Sequence, residues 1–223
     1  MIVGAKFAWG HIPRTGGDIT SELFRVVDKS LGGHFISKRD PMGSHSKHDT
    51  FDPEAEGKLL VLNIRRLPSF MMSWIVMCAG CLREEDSILP HRGGVWPKFE
   101  RLPVPSKLQL LNPIESYGPE YFRKLYSSSF ATLPDSLLEQ YIGSRTINIW
   151  LRLEHLREDF VQFMKQIEVT NPRTLKRIRR RKFRAKKPIG YNHSVEEYFS
   201  KDEIAILYKN NPTWAAIEAK VYK

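Results

Sequence analysis

Between Gly10 and Asp18 the chain reads Gly-His-Ile-Pro-Arg-Thr-Gly-Gly-Asp, and these residue types suit an anion better than a core. Glycines at positions 16 and 17 let the backbone approach a ligand closely and take positive φ. Arg14 and Thr15 add a charge and a hydroxyl at the rim. A helix opening here brings unpaired N–H groups and the positive end of its dipole to the same place, so the chemistry implied is phosphate binding. The run is not a Walker A loop, which ends in Gly-Lys-Ser/Thr, because Asp18 follows Gly17. It is not a dinucleotide fingerprint either, since G-x-G-x-x-G is absent. An ordinary glycine turn between strand and helix is the alternative reading.

Such a loop needs a strand before it and a helix after it. Ile2 to Trp9 is short and mostly apolar, as a buried strand should be. Ile19, Leu23, Val26, Val27 and Leu31 recur at three- and four-residue steps and predict a helix, which Gly32-Gly33 stops. His34 to Ser37 reads as a short second strand, and the polar segment from Lys38 to Asp52 as a loop containing His45 and His48. Leu59 to Ile64 is apolar enough for a parallel strand covered on both faces, with a bulky helix from Ser69 to Cys81 behind it. From Leu82 to Leu111 prolines and glycines break every period, which suits a lid or the loops of an acceptor site. Short helices are expected near Glu120–Tyr126 and Pro134–Tyr141, a strand over Ile147–Leu153 and an amphipathic helix over Glu154–Ile167. Ser200-Lys201-Asp202-Glu203 is a capping box, and Pro212 opens a last helix. Strands separated by helices predict an α/β fold with a mostly parallel central sheet flanked by helices, in a single domain over residues 1–223. In such sheets ligands bind at the carboxyl ends of the strands.

The net charge of +10 is local. Ten Lys or Arg residues and no acid lie between Thr170 and Lys187, and the other 25 basic residues match the 25 acidic ones. That stretch could be a solvated face, a nucleic-acid patch or a clamp for a small polyanion. Cys78 and Cys81 form one C-x-x-C pair with no second pair to complete a zinc site, and read as free thiols. No apolar run approaches a membrane span and no signal segment opens the chain, so a soluble, cytoplasmic protein is expected, with no membrane partner.

The stretch His11-Ile12-Pro13-Arg14-Thr15-Gly16-Gly17 resembles the 5′-phosphosulfate loop of sulfotransferases that use 3′-phosphoadenosine 5′-phosphosulfate (PAPS), often His-Ile-Pro-Lys-Thr-Gly-Gly-Thr. Ile64-Arg65-Arg66-Leu67-Pro68-Ser69-Phe70-Met71-Met72-Ser73-Trp74 is similar to the Val-Arg-Asn-Pro-x-x-Arg-Leu-x-Ser-Trp/Tyr element of the carbohydrate-type members. There the Arg and the Ser eight residues on hold the 3′-phosphate, roles that fall on Arg65 and Ser73. Lys47-His48-Asp49-Thr50 resembles the family's Lys-His-x-Thr, and Lys186 to Ser194 its C-terminal basic loop. The departures are Asp18 for the usual Thr or Ser, Pro68 one place late, and Phe70 for the second Arg.

The resemblance implies a P-loop-like core and transfer of a sulfuryl group from PAPS to an acceptor hydroxyl, that of a carbohydrate, leaving 3′,5′-adenosine bisphosphate (PAP), with no metal. Pro13, Arg14, Thr15, Gly16, Gly17, Asp18, Ile19 and Thr20 would line the 5′ end, Arg65 and Ser73 the 3′-phosphate. Residues 170–194 would form a basic loop closing on the nucleotide, with Arg184, Lys186 and Lys187 as its contacts and an acidic partner for the rest. His48, or else His45, would be the base, since a histidine near neutral pH suits proton removal from a hydroxyl. Arg14 would neutralise the leaving oxygen. Asp18 would turn away as a helix cap, with Thr20 or Thr15 supplying the hydroxyl. Glu154 and Asp159 read as scaffold. A divergent kinase or NTPase and a polyanion-binding module driven by the basic run are the rival readings.

Overall fold

The computed structural model describes residues 1–39, 55–81, 132–182, 195–197 and 199–223. The chain divides into two compact units, one of Met1–Arg65, Leu137–Arg184 and Ala216–Lys223, the other of Arg66–Ser136 and Ala185–Ala215.

The first unit is α/β. Its strands are β1 (Ile2–Val3), β2 (Phe7–Gly10), β3 (Lys38–Arg39), β4 (Leu59–Ile64) and β5 (Ile149–Arg152), in the order β3-β1-β2-β4-β5. β2, β4 and β5 are parallel neighbours, with Gly10 beside Leu62 and Ile64 beside Arg152. β1 is antiparallel to β2 and to β3. The expected single strand from Ile2 to Trp9 is therefore two. The Phe7 ring fills the space a Cβ at Gly4 would take, and the Gly4 N–H donates to the Phe7 carbonyl at 2.9 Å, folding the chain back between them. The strand expected at His34–Ser37 is displaced to β3 because the Asp28 carboxylate accepts from the Phe35 and Ile36 N–H groups, taking them out of a ladder.

From β2 the chain crosses through helix α1 (Gly17–Ser30) to β3 on one side of β2, then returns to β4 on the other. In α/β sheets ligands bind at the carboxyl ends of the strands flanking such a change of direction, here β2 and β4. Phe7 and Trp9 of β2, Val61 of β4 and Leu151 of β5 pack with Leu23, Phe24 and Val27 of α1 in one buried core. Helix α4 (Leu156–Gln166) adds Phe160, Phe163 and Met164 to it, and helix α5 (Pro172–Arg180) adds Leu175 and Ile178. Phe7 stacks on Phe24 at 5.2 Å and meets Phe163 edge-on at 5.4 Å, so aromatic pairs tie the strand to both helices. Helix α5 corrects the expectation of a loop over 170–194. Asn171 caps it by accepting from the Arg173 and Thr174 N–H groups, and Pro172 takes the first helical position, where its missing N–H costs nothing.

Asp159 and Glu154 bond to residues of the same unit. The Asp159 carboxylate grips the Arg152 guanidinium with bonds of 2.8 and 2.6 Å and holds its pKa above the usual value. Glu154 accepts from the Tyr222 hydroxyl. Arg152 also donates to the Val221 carbonyl at 3.4 Å, so strand β5 anchors the end of the chain.

In the second unit, helix α2 (Leu67–Cys81) buries Phe70 and Trp74, and Phe70 lies 4.6 Å from Trp214 between ring centroids. Helix α3 (Leu133–Ile142) begins here, and its Asp135 caps the last helix, α7 (Pro212–Val221), by accepting from the Thr213 and Trp214 N–H groups. Helix α6 (Lys201–Asn210) carries the expected capping box of Ser200 and Glu203. Cys78 and Cys81 lie in the last turns of α2. Among the described residues, no helix is long and apolar enough to cross a membrane.

Candidate functional site

The loop at the carboxyl end of β2 runs from His11 to Gly16, and α1 starts at Gly17. Its shape is set by glycine where sterics demand it. Gly16 occupies the helix-cap position with φ 101°, in the left-handed region, and a Cβ there would stand 2.5 Å from Leu153 Cδ1. A Cβ on Gly17 would stand 2.1 Å from the His11 ring, which stacks on Trp9 at 5.3 Å. Arg14 also has positive φ, 71°, without the freedom of glycine. Non-glycine residues held there cost energy and collect at functional sites.

Behind the loop lies a buried polar chain. The Trp9 indole N–H donates to Asn63 Oδ1 at 2.7 Å, and the Asn63 amide donates to the Thr20 hydroxyl at 2.8 Å. Thr20 in turn donates to the Gly16 carbonyl at 3.1 Å. Thr15 donates to the Ile12 carbonyl at 2.6 Å, closing the turn from within. Thr15, Thr20 and Asn63 are fully buried. The two hydroxyls expected to face a phosphate are thus bonded to carbonyls of the loop itself.

The first backbone bond of α1 runs from the Thr20 N–H to the Gly16 carbonyl. The amides of Gly17 and Ile19 precede it and are the kind of first-turn donors that an anion satisfies. Asp18 is not the cap: that position belongs to Gly16, with no side-chain hydrogen bond, and Asp18 lies exposed in the first turn. Pro13, Arg14 and Ile19 are half-buried around the loop.

Arg65 follows β4 and turns toward the loop, its guanidinium 3.5 Å from the Arg14 carbonyl oxygen. Arg66 is exposed. Three parallel strand ends therefore supply the site, β2 through the loop, β4 through Asn63 and Arg65, and β5 through Leu153 against Gly16. Ser73 is buried in α2, within the second unit. His45, His48, Arg184, Lys186 and Lys187 lie outside the described residues, as do the 82–111 segment and the helix expected at 120–126. No group of three metal-ligating side chains gathers among the described residues.

Trp9, His11 and Asn63 are the residues missing from the sequence reading. Asn63 carries the usable signal, a single polar side chain inside Leu-Leu-Val-Leu-Asn-Ile, because a buried amide needs partners. What this arrangement offers is a tight turn, first-turn helix amides and the Arg65 guanidinium beside the Arg14 backbone, at the end of a parallel sheet. Comparison of the chain with protein-family models, with curated proteins and with solved structures finds no match.

Proposed function

We propose that the protein is a PAPS-dependent sulfotransferase whose β2–loop–α1 element is a P-loop-like site for the 5′-phosphosulfate of the donor. The observation that carries the reading is the approach of Arg65, a residue of the second motif, to the Arg14 carbonyl in the first. The residues fit such a donor. Gly17 lets the His11 ring pack against the helix start, α1 opens with first-turn amides that lack a partner within the helix, and Arg14 and Arg65 are planar, permanently charged forks suited to phosphate and sulfate oxygens.

The donor supplies the sulfuryl group. An acceptor oxygen attacks sulfur in line, a new O–S bond forms, and the bond from sulfur to the bridging phosphate oxygen breaks. His48 is the residue proposed to take the acceptor's proton, with His45 as its substitute. Arg14 neutralises charge on the bridging oxygen, and the pre-aimed amides need little reorganisation as that charge grows. Arg65 is proposed to receive the 3′-phosphate, a role the resemblance also gives Ser73, and Arg184, Lys186 and Lys187 are proposed nucleotide contacts. The acceptor is proposed to be a carbohydrate hydroxyl, and the chemistry calls for no metal.

Calorimetric titration with PAP, beside 5′-AMP and ATP, tests the reading on wild type and Arg65→Ala. A clear preference for PAP that is lost in Arg65→Ala is expected. Equal binding of all three nucleotides, or none, would sink the proposal.

A further inference from the structure

Helix α5 carries a basic face on its outer side. Leu175 and Ile178 pack into the core and Thr174 is buried with them, so the apolar side of the helix is fully engaged. Arg173, Lys176, Arg177 and Arg180 recur at the steps that place residues on one helix face, and all are exposed. With Arg181 and Lys182, just past the helix end, they line an open groove of about 500 Å³. Among the described residues, the four helix cations form no ion pair, while Arg181 pairs with Glu22.

The face continues onto α1. Thr174 donates to Ser30 Oγ at 3.1 Å, at the end of α1, while Arg181 reaches Glu22 near its start, so the two helices lie side by side and antiparallel. Glu22, Arg25 and Lys29 follow the three- and four-residue steps of one face of α1, and Arg25 and Lys29 are exposed. Glu22 also accepts from Arg25 at 3.2 Å, so its single charge is shared between two arginines. Packed helices set their axes about 8–10 Å apart, so the cations cover an area rather than a single row.

We infer that this face docks on an anionic phospholipid bilayer, with its cations among the phosphate and carboxylate groups of the lipid heads. The inference does not draw on the proposed activity. Lys and Arg clustered on an amphipathic helix are attracted to such a surface, each adding about fivefold to binding. The 25 basic residues outside 170–187 match the 25 acidic ones, so the whole excess charge lies to one side and turns this face toward a negative plane. With Leu175 and Ile178 held in the core, the helix rests on the headgroups rather than inserting, and salt reverses the contact. Docking of this kind needs no membrane span, and among the described residues no helix is long and apolar enough to supply one. The six groove residues are all Arg or Lys, with no aromatic ring to stack on a base and no side-chain amide to pair with adenine, so a nucleic acid finds charge there but little readout.

The test is co-sedimentation of the full chain with vesicles of phosphatidylcholine alone and of phosphatidylcholine mixed with phosphatidylserine. Wild type should bind the mixed vesicles about a hundredfold or more tighter than the neutral ones. The fourfold variant Arg173→Ala, Lys176→Ala, Arg177→Ala, Arg180→Ala should lose about a hundredfold or more and fall to the neutral level, as expected when four charges leave a lipid surface. The variant Arg173→Lys, Arg177→Lys, Arg180→Lys keeps every charge and should stay within about threefold of wild type, because a bilayer reads charge rather than the geometry of a planar fork. A folding defect in the first variant therefore does not decide the matter. Equal binding to neutral and mixed vesicles by wild type would overturn the proposal, as would unchanged binding in the fourfold variant. A loss in the lysine variant as large as in the alanine variant would mark a site for paired phosphate oxygens and overturn it too. So would a duplex oligonucleotide or polyglutamate that strips the protein from mixed vesicles at equal charge concentration, which would assign the face to nucleic acid or to an acidic protein.

Discussion

Two regions of the first unit carry their polar groups in opposite ways. The loop from His11 to Gly17 is backed by a buried scaffold in which Trp9, Asn63 and Thr20 form one hydrogen-bonded chain, with Arg65 against the Arg14 carbonyl. The basic surface at helix α5 consists of six exposed side chains, four on the helix and two just past its end, with Arg181 paired to Glu22. Preorganised donors are hard to replace because each depends on the others, while a row of solvated charges acts as a field to which every member adds a little. The loop should fail cooperatively and the groove by degrees.

Replacing Arg14 by Ala makes the largest difference expected. It should cost on the order of 3 kcal/mol in the transition state, roughly a hundredfold in turnover, by analogy with a lost oxyanion donor. Steady-state kinetics with PAPS would show it, and an unchanged rate would put the loop on a par with the groove. Asn63→Leu keeps a similar volume but strands the Trp9 N–H in the interior and removes a donor from Thr20. Unfolding in urea should reveal a loss of about 2–3 kcal/mol, and PAP binding should weaken with it because Asn63 holds the loop through Thr20. A neutral Asn63→Leu would mean that the loop holds its shape unaided. Gly17→Ala should come next, at about 2 kcal/mol, because its methyl must displace the His11 ring. Single groove substitutions stand at the far end. Arg177→Ala alone should weaken binding to phosphatidylserine vesicles by about fivefold or less, as the loss of one charge near a lipid surface does. Raising salt from 50 to 200 mM should weaken that binding by on the order of tenfold or more and PAP binding far less. Equal salt sensitivity at both sites would erase the distinction.

Element types were legible wherever local chemistry decides them. The Ser200–Glu203 box, the Pro212 helix start and the stop after α1 are all where the residues place them, because caps and breakers act within a turn. The Asn171-Pro172 start of α5 used the same chemistry, but the density of charge around it masked a helix held by only Leu175 and Ile178. The split of the first strand and the displacement of β3 were hidden, since each follows from a contact, Phe7 over Gly4 and Asp28 on Phe35 and Ile36. The end of α4 shows the same limit. Glu168 sits at φ 70° where glycine is usual, and its N–H and that of Val169 cap the Lys165 and Met164 carbonyls, so Glu168→Gly should raise the thermal midpoint slightly.

By itself the sequence determined a glycine-rich loop between a strand and a helix, an α/β core around it and one localised block of positive charge, because turn chemistry, periodicity and charge are properties of neighbouring residues. Only the tertiary structure decided that Arg65 reaches Arg14, that Asn63 ties β4 to the loop, and that the basic helix runs back along α1. Those pairs are separated by tens of residues or more, and strand order and packing alone bring them together.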